Sequence, residues 1–333
     1  MYDYSMEKLI YQMFILGTGE KNNIGVNNIY LQQALKNGLG GIIYFTRDIE
    51  SKEQFTNLIN EHKSKAQNPL FLSIDQEGGR VERTENIHER YLSPRFAYKK
   101  GEKFLEEQTT KIANELREYG INLNFAPCAD VNTNPNNPII GERAFSDKTD
   151  DVIKGVKLVA QTYRKNGIIP CVKHFPGHGD ADKDSHLTLP QIDLPMDVME
   201  EIHIKPFKFA VENNIEMIMA AHLHCTCFDK EVLPASLSKN AIGYLRNNLK
   251  YDGVIISDDM VMKGVQDYGS TDAVLMGIRA GLDMFIFRDC DKTTIDVIEN
   301  VVKIVEKDED LKERVINSNQ RISELKKQYK LFK

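Results

Sequence analysis

Residues 168–190, IIPCVKHFPGHGDADKDSHLTLP, begin as an unbroken apolar run and end in charge and glycine. A strand that is apolar at consecutive rather than alternate positions is buried on both faces, and such strands belong to parallel sheets covered by helices. Lys173 and His174 stand where the run stops, followed by Pro176 and a loop that carries Gly177, Gly179, Asp180, Asp184 and His186. Polar side chains delivered at the C-terminal end of a buried strand point to an α/β fold whose chemistry gathers at the strand mouths.

The pattern recurs along the chain. Apolar runs at 13–17, 40–45, 69–75, 121–131, 215–223, 253–258 and 284–287, with 168–175, make eight candidate strands. Stretches of helical period lie between them. In EKFLEEQTTKIANELREYG (102–120), Phe104, Leu105, Ile112, Leu116 and Tyr119 fall near one face, and DVIKGVKLVAQTYRKNG (151–167) closes on a C-terminal glycine. Eight such units predict an α/β fold of the (β/α)8 TIM-barrel type, a single catalytic domain over 1–333 with no second α/β domain. DEDLKERVINSNQRISELKKQYK (308–330) adds a C-terminal helix beyond the eighth strand. A doubly wound open sheet is the alternative, but the Gly-rich phosphate loop that usually accompanies it is missing from the sequence.

Charge and composition narrow the partners. With 43 Lys and Arg against 49 Asp and Glu the net charge is −6, so the chain lacks the basic stripe that nucleic acid demands. The N-terminal MYDYSMEKLIYQMFILGTG has no basic start ahead of a long apolar stretch, as a signal peptide would, and no window approaches a membrane span. Five cysteines without a CxxC pair suit reduced thiols. The expectation is a cytoplasmic monomer acting on a small molecule, with neither membrane nor nucleic acid as partner.

Polar residues cluster at the ends of the apolar runs: Asp75, Asp130, Lys173 with His174, His222, Asp258 and Arg288. In DQEGGRVER (75–83) two glycines allow a tight turn that brings Asp75, Arg80 and Arg83 toward one pocket. The long connection APCADVNTNPNNPIIGERAF (126–145) carries Arg143, whose guanidinium suits hydroxyl or carboxylate recognition, while its asparagines stabilise turns. In regular strands Lys173 and His174 would diverge, as would Asp258 and Asp259, so a bend before Pro176 is expected and only one of the two aspartates faces the barrel mouth. Asp184 and His186, at i and i+2, allow the carboxylate to orient the imidazole and raise its basicity, as an acid/base histidine requires.

Two chemistries compete for these residues. A metallohydrolase would use His174, His178, His186, His222 and nearby aspartates as ligands, with AHLH (221–224) in support, although no HxH opens the first strand. A covalent hydrolase would use one strand-end carboxylate as nucleophile and the loop histidine as proton carrier. A sugar-binding protein accounts for the pocket but not for the oriented histidine.

Taken in order, IDQEGGRVER, NPNNPIIGERAF, VKHFPGHGDADKDSH, PASLSK and GVIISDDM resemble glycoside hydrolase family 3, and most closely its β-N-acetylglucosaminidase (β-hexosaminidase) branch, over about residues 10 to 290. The resemblance implies a retaining glycosidase that removes nonreducing terminal N-acetylglucosamine from cell-wall muropeptides. Asp258 matches the nucleophile, His186 the general acid/base and Asp184 its dyad partner. Asp75, Arg83, Arg143, Lys173 and His174 would hold the sugar hydroxyls, and no metal or other cofactor is implied. The β-glucosidases of the family carry a second domain, and a phosphorylase would use phosphate in place of water, so both stay as alternatives. A substrate-assisted mechanism on the Asp258–Asp259 pair is a further one. Ala181 stands where the family pattern has a threonine.

Overall fold

In the computed structural model, which describes residues 5–19, 27–181 and 189–332, each of the eight apolar runs contributes a strand. These are β1 (Phe14–Leu16), β2 (Gly41–Tyr44), β3 (Phe71–Ile74), β4 (Leu123–Asn124), β5 (Ile169–Phe175), β6 (Met217–Ala220), β7 (Val254–Asp259) and β8 (Met284–Phe287). They pair in parallel in chain order, and β8 closes on β1 with Phe14 opposite Phe285 and Leu16 opposite Phe287. The sheet is therefore a closed (β/α)8 barrel rather than the open doubly wound alternative. Every residue of β5 is buried, Lys173 and His174 included, as the unbroken apolar run required.

The helices follow their sequence signals. Glu102–Tyr119 buries Leu105, Ile112, Leu116 and Tyr119 and stops at Gly120, whose φ of 91° suits a left-handed C-cap. Thr149–Lys165 ends ahead of Gly167, also at positive φ. Ser51 and Asp308 cap the helices Lys52–Lys65 and Glu309–Gln328 by accepting the amide N–H groups of Gln54 and Leu311.

β4 is shorter than the predicted 121–131. Pro127 has no N–H to give to a ladder, and the Asn124 side chain instead takes the Gln76 N–H at 2.9 Å and donates to the Gln76 carbonyl at 2.8 Å. A small parallel pair, Gln191–Ile192 with His224–Cys225, lies outside the barrel.

The C-terminal helix Glu309–Gln328 is tied to the barrel at two buried points. Asp283 accepts from Ser318 Oγ at 2.8 Å, from the Ile255 N–H at 2.8 Å, and from Arg246 and Arg321. Lys326 donates to the carbonyls of Gly40 and Pro69 at 3.1 and 2.6 Å, and burial without a carboxylate brings its ammonium down to about 7. No helix among the described residues is long and apolar enough to cross a membrane.

Candidate active site

At the strand mouths lies a cavity of about 200 Å³ lined by Asp75, Arg83, Arg143, Lys173, His174 and Asp258, the six described residues singled out from sequence for the site. Ile43, Met219 and Ile286, from three barrel strands, supply its apolar lining.

Two irregularities place these side chains. Between Val172 and Phe175 the pairing of β5 with β6 slips by one residue, so Lys173 and His174 both reach the cavity. A matching slip occurs where β7 meets β8, with Met284 opposite Ile256 but Ile286 opposite Asp259. Asp258 and Asp259 therefore both line the cavity, which corrects the expectation that only one would. An extra residue in a strand re-aims the side chains beside it, and bulges of this kind concentrate next to active sites.

A buried chain of ion pairs forms one wall. Lys173 Nζ lies 2.7 Å from Asp75 Oδ1 and 2.6 Å from Glu77 Oε1. Arg143 grips the same Glu77 bidentately, at 2.9 and 2.8 Å. Burial opposes ionisation of Glu77, yet Arg143 and Lys173 outweigh it and hold the carboxyl well below the usual range. Arg143 also donates to His174 Nε2 at 3.2 Å. Because a guanidinium has only donors, that ring nitrogen accepts, and the Nδ1–H of His174 donates to Asp130 Oδ2 at 2.7 Å. Glu77 was not singled out from sequence, and Asp130 only as a polar residue at the end of an apolar run. The signal for Glu77 was its place in the double-glycine turn, where Gly78 takes φ +93° and a Cβ would stand 2.4 Å from the Leu92 carbonyl.

The opposite side belongs to β7. The Asp258 carboxylate accepts the Asp259 N–H at 2.7 Å. Burial pushes its proton affinity up, but His174, His222, that amide and Lys173 outweigh burial and leave the carboxyl below its ordinary value, ready as an anion. Asp259 behaves differently: burial raises it, and its partners are Arg288, the Arg288 N–H at 3.2 Å and the Val261 N–H at 3.1 Å. His222 buttresses this strand end, donating from Nε2 to the Asp259 carbonyl at 3.2 Å and accepting Ser236 Oγ–H at Nδ1 at 2.7 Å.

Other expectations divide. Arg80 does not line the cavity; it donates to the Pro138 carbonyl at 2.9 Å, which steadies the long connection. The asparagines there do stabilise turns: Asn137 accepts the Ile139 and Ile140 N–H groups and donates to the His178 carbonyl. Gly179 is needed where this loop meets its neighbour, since a Cβ would stand 1.8 Å from the Val131 carbonyl. Asp180 accepts from Thr133 at 2.7 Å, a shaping contact. His178 lines the cavity with neither ring nitrogen bonded among the described residues, and burial lowers its pKa to about 4. Asp184 and His186 lie outside the described residues.

For the metal reading, Cys128, Asp130 and His174 bring ligand atoms within 4.8 Å of one another. Their bonds are already made among themselves, since Asp130 Oδ2 accepts Cys128 Sγ–H at 3.1 Å as well as His174, and burial pushes the Cys128 thiol well up, away from the thiolate a metal needs.

The chain is similar to known proteins over most of its length. Residues 7–325 match the family model of the glycosyl hydrolase family 3 N terminal domain. The chain is 34% identical over 269 residues to beta-hexosaminidase A of Pseudoalteromonas piscicida, covering 74% of this chain and 45% of that protein. It is 33% identical over 267 residues to the beta-hexosaminidase of Methylococcus capsulatus, with 78% of each covered. Among solved structures, a glycoside hydrolase family 3 beta-N-acetylglucosaminidase from Paenibacillus superposes with a TM-score of 0.91 at 29% identity, over 98% of this chain and 63% of that one. The chain thus spans under two thirds of some relatives and over three quarters of others. The chain, a closed barrel with a strand-end carboxylate facing a buried Lys, Arg and His wall and matched by that family model over residues 7–325, belongs to glycosyl hydrolase family 3, with beta-hexosaminidases among its relatives.

Proposed function

We propose that this chain is a retaining exo-β-N-acetylglucosaminidase, with Asp258 as nucleophile and His186, oriented by Asp184, as general acid/base. The observation that carries the reading is the Asp258 carboxylate, held as an anion in a small cavity that it shares with Asp75, Arg83, Arg143, Lys173 and His174. A carboxylate in that state attacks the anomeric carbon and forms a glycosyl-enzyme ester. Arg143, Lys173 and His174 are fixed by Glu77, Asp75 and Asp130, so they meet sugar hydroxyls without having to reorganise. Arg83 and Asp75 complete the glycone contacts. Histidine, with an unperturbed pKa of about 6.5, donates to the leaving oxygen and then takes a proton from water near neutral pH.

The relatives' names support β-linked N-acetylglucosamine as glycone, and muropeptides of the cell wall are the substrate we favour. We take the enzyme to act as a metal-free monomer in the cytoplasm, where its five free cysteines stay reduced. Intact-mass and peptide mass spectrometry after a 5-fluoro glycosyl trap tests the mechanism: a sugar adduct on Asp258 is expected. An adduct elsewhere removes the nucleophile assignment, and activity abolished by a chelator and restored by a metal replaces the whole reading.

A further inference from the structure

Arg288 has no role in the chemistry above, yet its side chain lines the same cavity at the end of the last barrel strand. Its geometry is unusual for a surface arginine. Nε is bonded to Asp259, the main-chain N–H also goes to Asp259, and the carbonyl accepts Arg47 Nη2 at 2.7 Å. Backbone and one edge of the guanidinium are thereby anchored, while neither Nη atom has a hydrogen-bond partner among the described residues and the side chain remains 38% exposed. Arginine's fork is planar and rigid, so an edge anchored in this way presents the remaining N–H groups in a fixed direction.

The charges around it add to the effect. Arg83 also lines the cavity, has a buried Nε without a partner, and lies 5.7 Å from the Phe45 ring; Arg47 lies 5.2 Å from the same ring. Of the acids beside these guanidiniums, Asp259 is bonded to Arg288 and Asp289 to Arg47, while Asp48, next to Arg47, accepts the Phe45 N–H and Thr18, so each of these carboxylates already has its partners. The reacting carboxylate Asp258 lies in the same cavity and would repel an incoming anion that found no cation to meet it.

We propose that Arg288 is a specificity-determining residue that receives a carboxylate on the leaving group, so that the enzyme prefers β-N-acetylglucosaminides with an anionic aglycone. The proposal rests on the reading of the cavity as a β-N-acetylglucosaminidase site. The exposed part of Arg288 lies at the open end of the cavity, where a leaving group would project, and a carboxylate there pairs with the open Nη edge in the geometry guanidinium favours.

The test compares kcat/KM for 3-carboxy-4-nitrophenyl β-N-acetylglucosaminide and its methyl ester, which differ chiefly in the negative charge. Wild-type enzyme should prefer the carboxylate, and Arg288→Ala should lower the carboxylate-to-ester ratio by about 5- to 20-fold, with Arg288→Lys between them. In the wild type the preference should shrink at about 0.5 M NaCl, where charge interactions are screened, and this needs no variant to fold. A wild-type enzyme indifferent to the charge, or a variant in which both substrates fall equally, overturns the proposal. Failure of the wild type to cleave even the ester overturns the glycosidase reading instead.

Discussion

Glu77 and Lys173 meet inside the wall of the cavity, Oε1 to Nζ at 2.6 Å, with both side chains almost wholly buried. Since Arg143 holds the same carboxylate, one anion positions two cations. Glu77→Gln keeps the shape and removes the charge, and we expect kcat/KM to fall about 10²- to 10³-fold through misplacement of Lys173 and Arg143. Glu77→Ala, which leaves two buried cations with less compensation, should also cost about 3–5 kcal/mol in urea unfolding. Near-wild-type turnover by Glu77→Gln would show that the ion-pair wall does not set the site.

Proton donation by His186 predicts a dependence on the leaving group. His186→Ala should reduce turnover of a poor leaving group such as a second sugar by about 10²- to 10⁴-fold and that of an activated dinitrophenyl glycoside far less. Equal losses on both substrates would remove the acid assignment.

Asp283 joins the C-terminal helix to the barrel through Ser318 and Arg321 on one side and Arg246 and the Ile255 amide on the other. Asp283→Ala leaves Arg246 and a strand N–H without their buried acceptor, and should destabilise the fold by about 3–5 kcal/mol by chemical denaturation. A loss under about 1 kcal/mol, the value of an exposed pair, would mean that the helix is held by its apolar face alone.

Acid should destabilise the protein in two overlapping windows. His62 and His178 are each lowered by burial to about 4, so as pH falls from about 6.5 to 4 the unfolded chain takes up protons that the folded one refuses, and stability declines. Glu77 and Asp130 are depressed carboxyls, and the stability they contribute is present above the ordinary carboxylate range and is lost as pH falls through it. The melting temperature should therefore drop between pH 7 and 4.5, and His62→Gln should make that drop smaller. An unchanged slope in the variant would remove His62 from the acid sensitivity and leave it to His178 and the carboxylates.

Much of this was legible in the chain order of residue types. Eight apolar runs with helical period between them determined the barrel, because strands buried on both faces must be apolar throughout and parallel strands need crossovers. The same runs located Asp75, Lys173, His174 and Asp258, since chemistry gathers where a buried strand ends. Arg83 and Arg143, on the connections, also came from sequence. Strand lengths were less legible: 121–131 reads as one strand, yet Pro127 and the Asn124 side chain end regular pairing after two residues.

Only the tertiary structure decided which neighbours share a face. Period-two alternation separates Lys173 from His174 and Asp258 from Asp259, and both pairs are reunited by slips of register against β6 and β8 that depend on residues more than twenty positions away. Glu77 likewise reads as one more acid in a polar turn until folding brings Lys173 and Arg143 to it. The physical reason is common to all three cases. Burial and periodicity are properties of a segment and can be read along it, whereas pairing register and charge compensation are properties of contacts between segments and exist only once the barrel has closed.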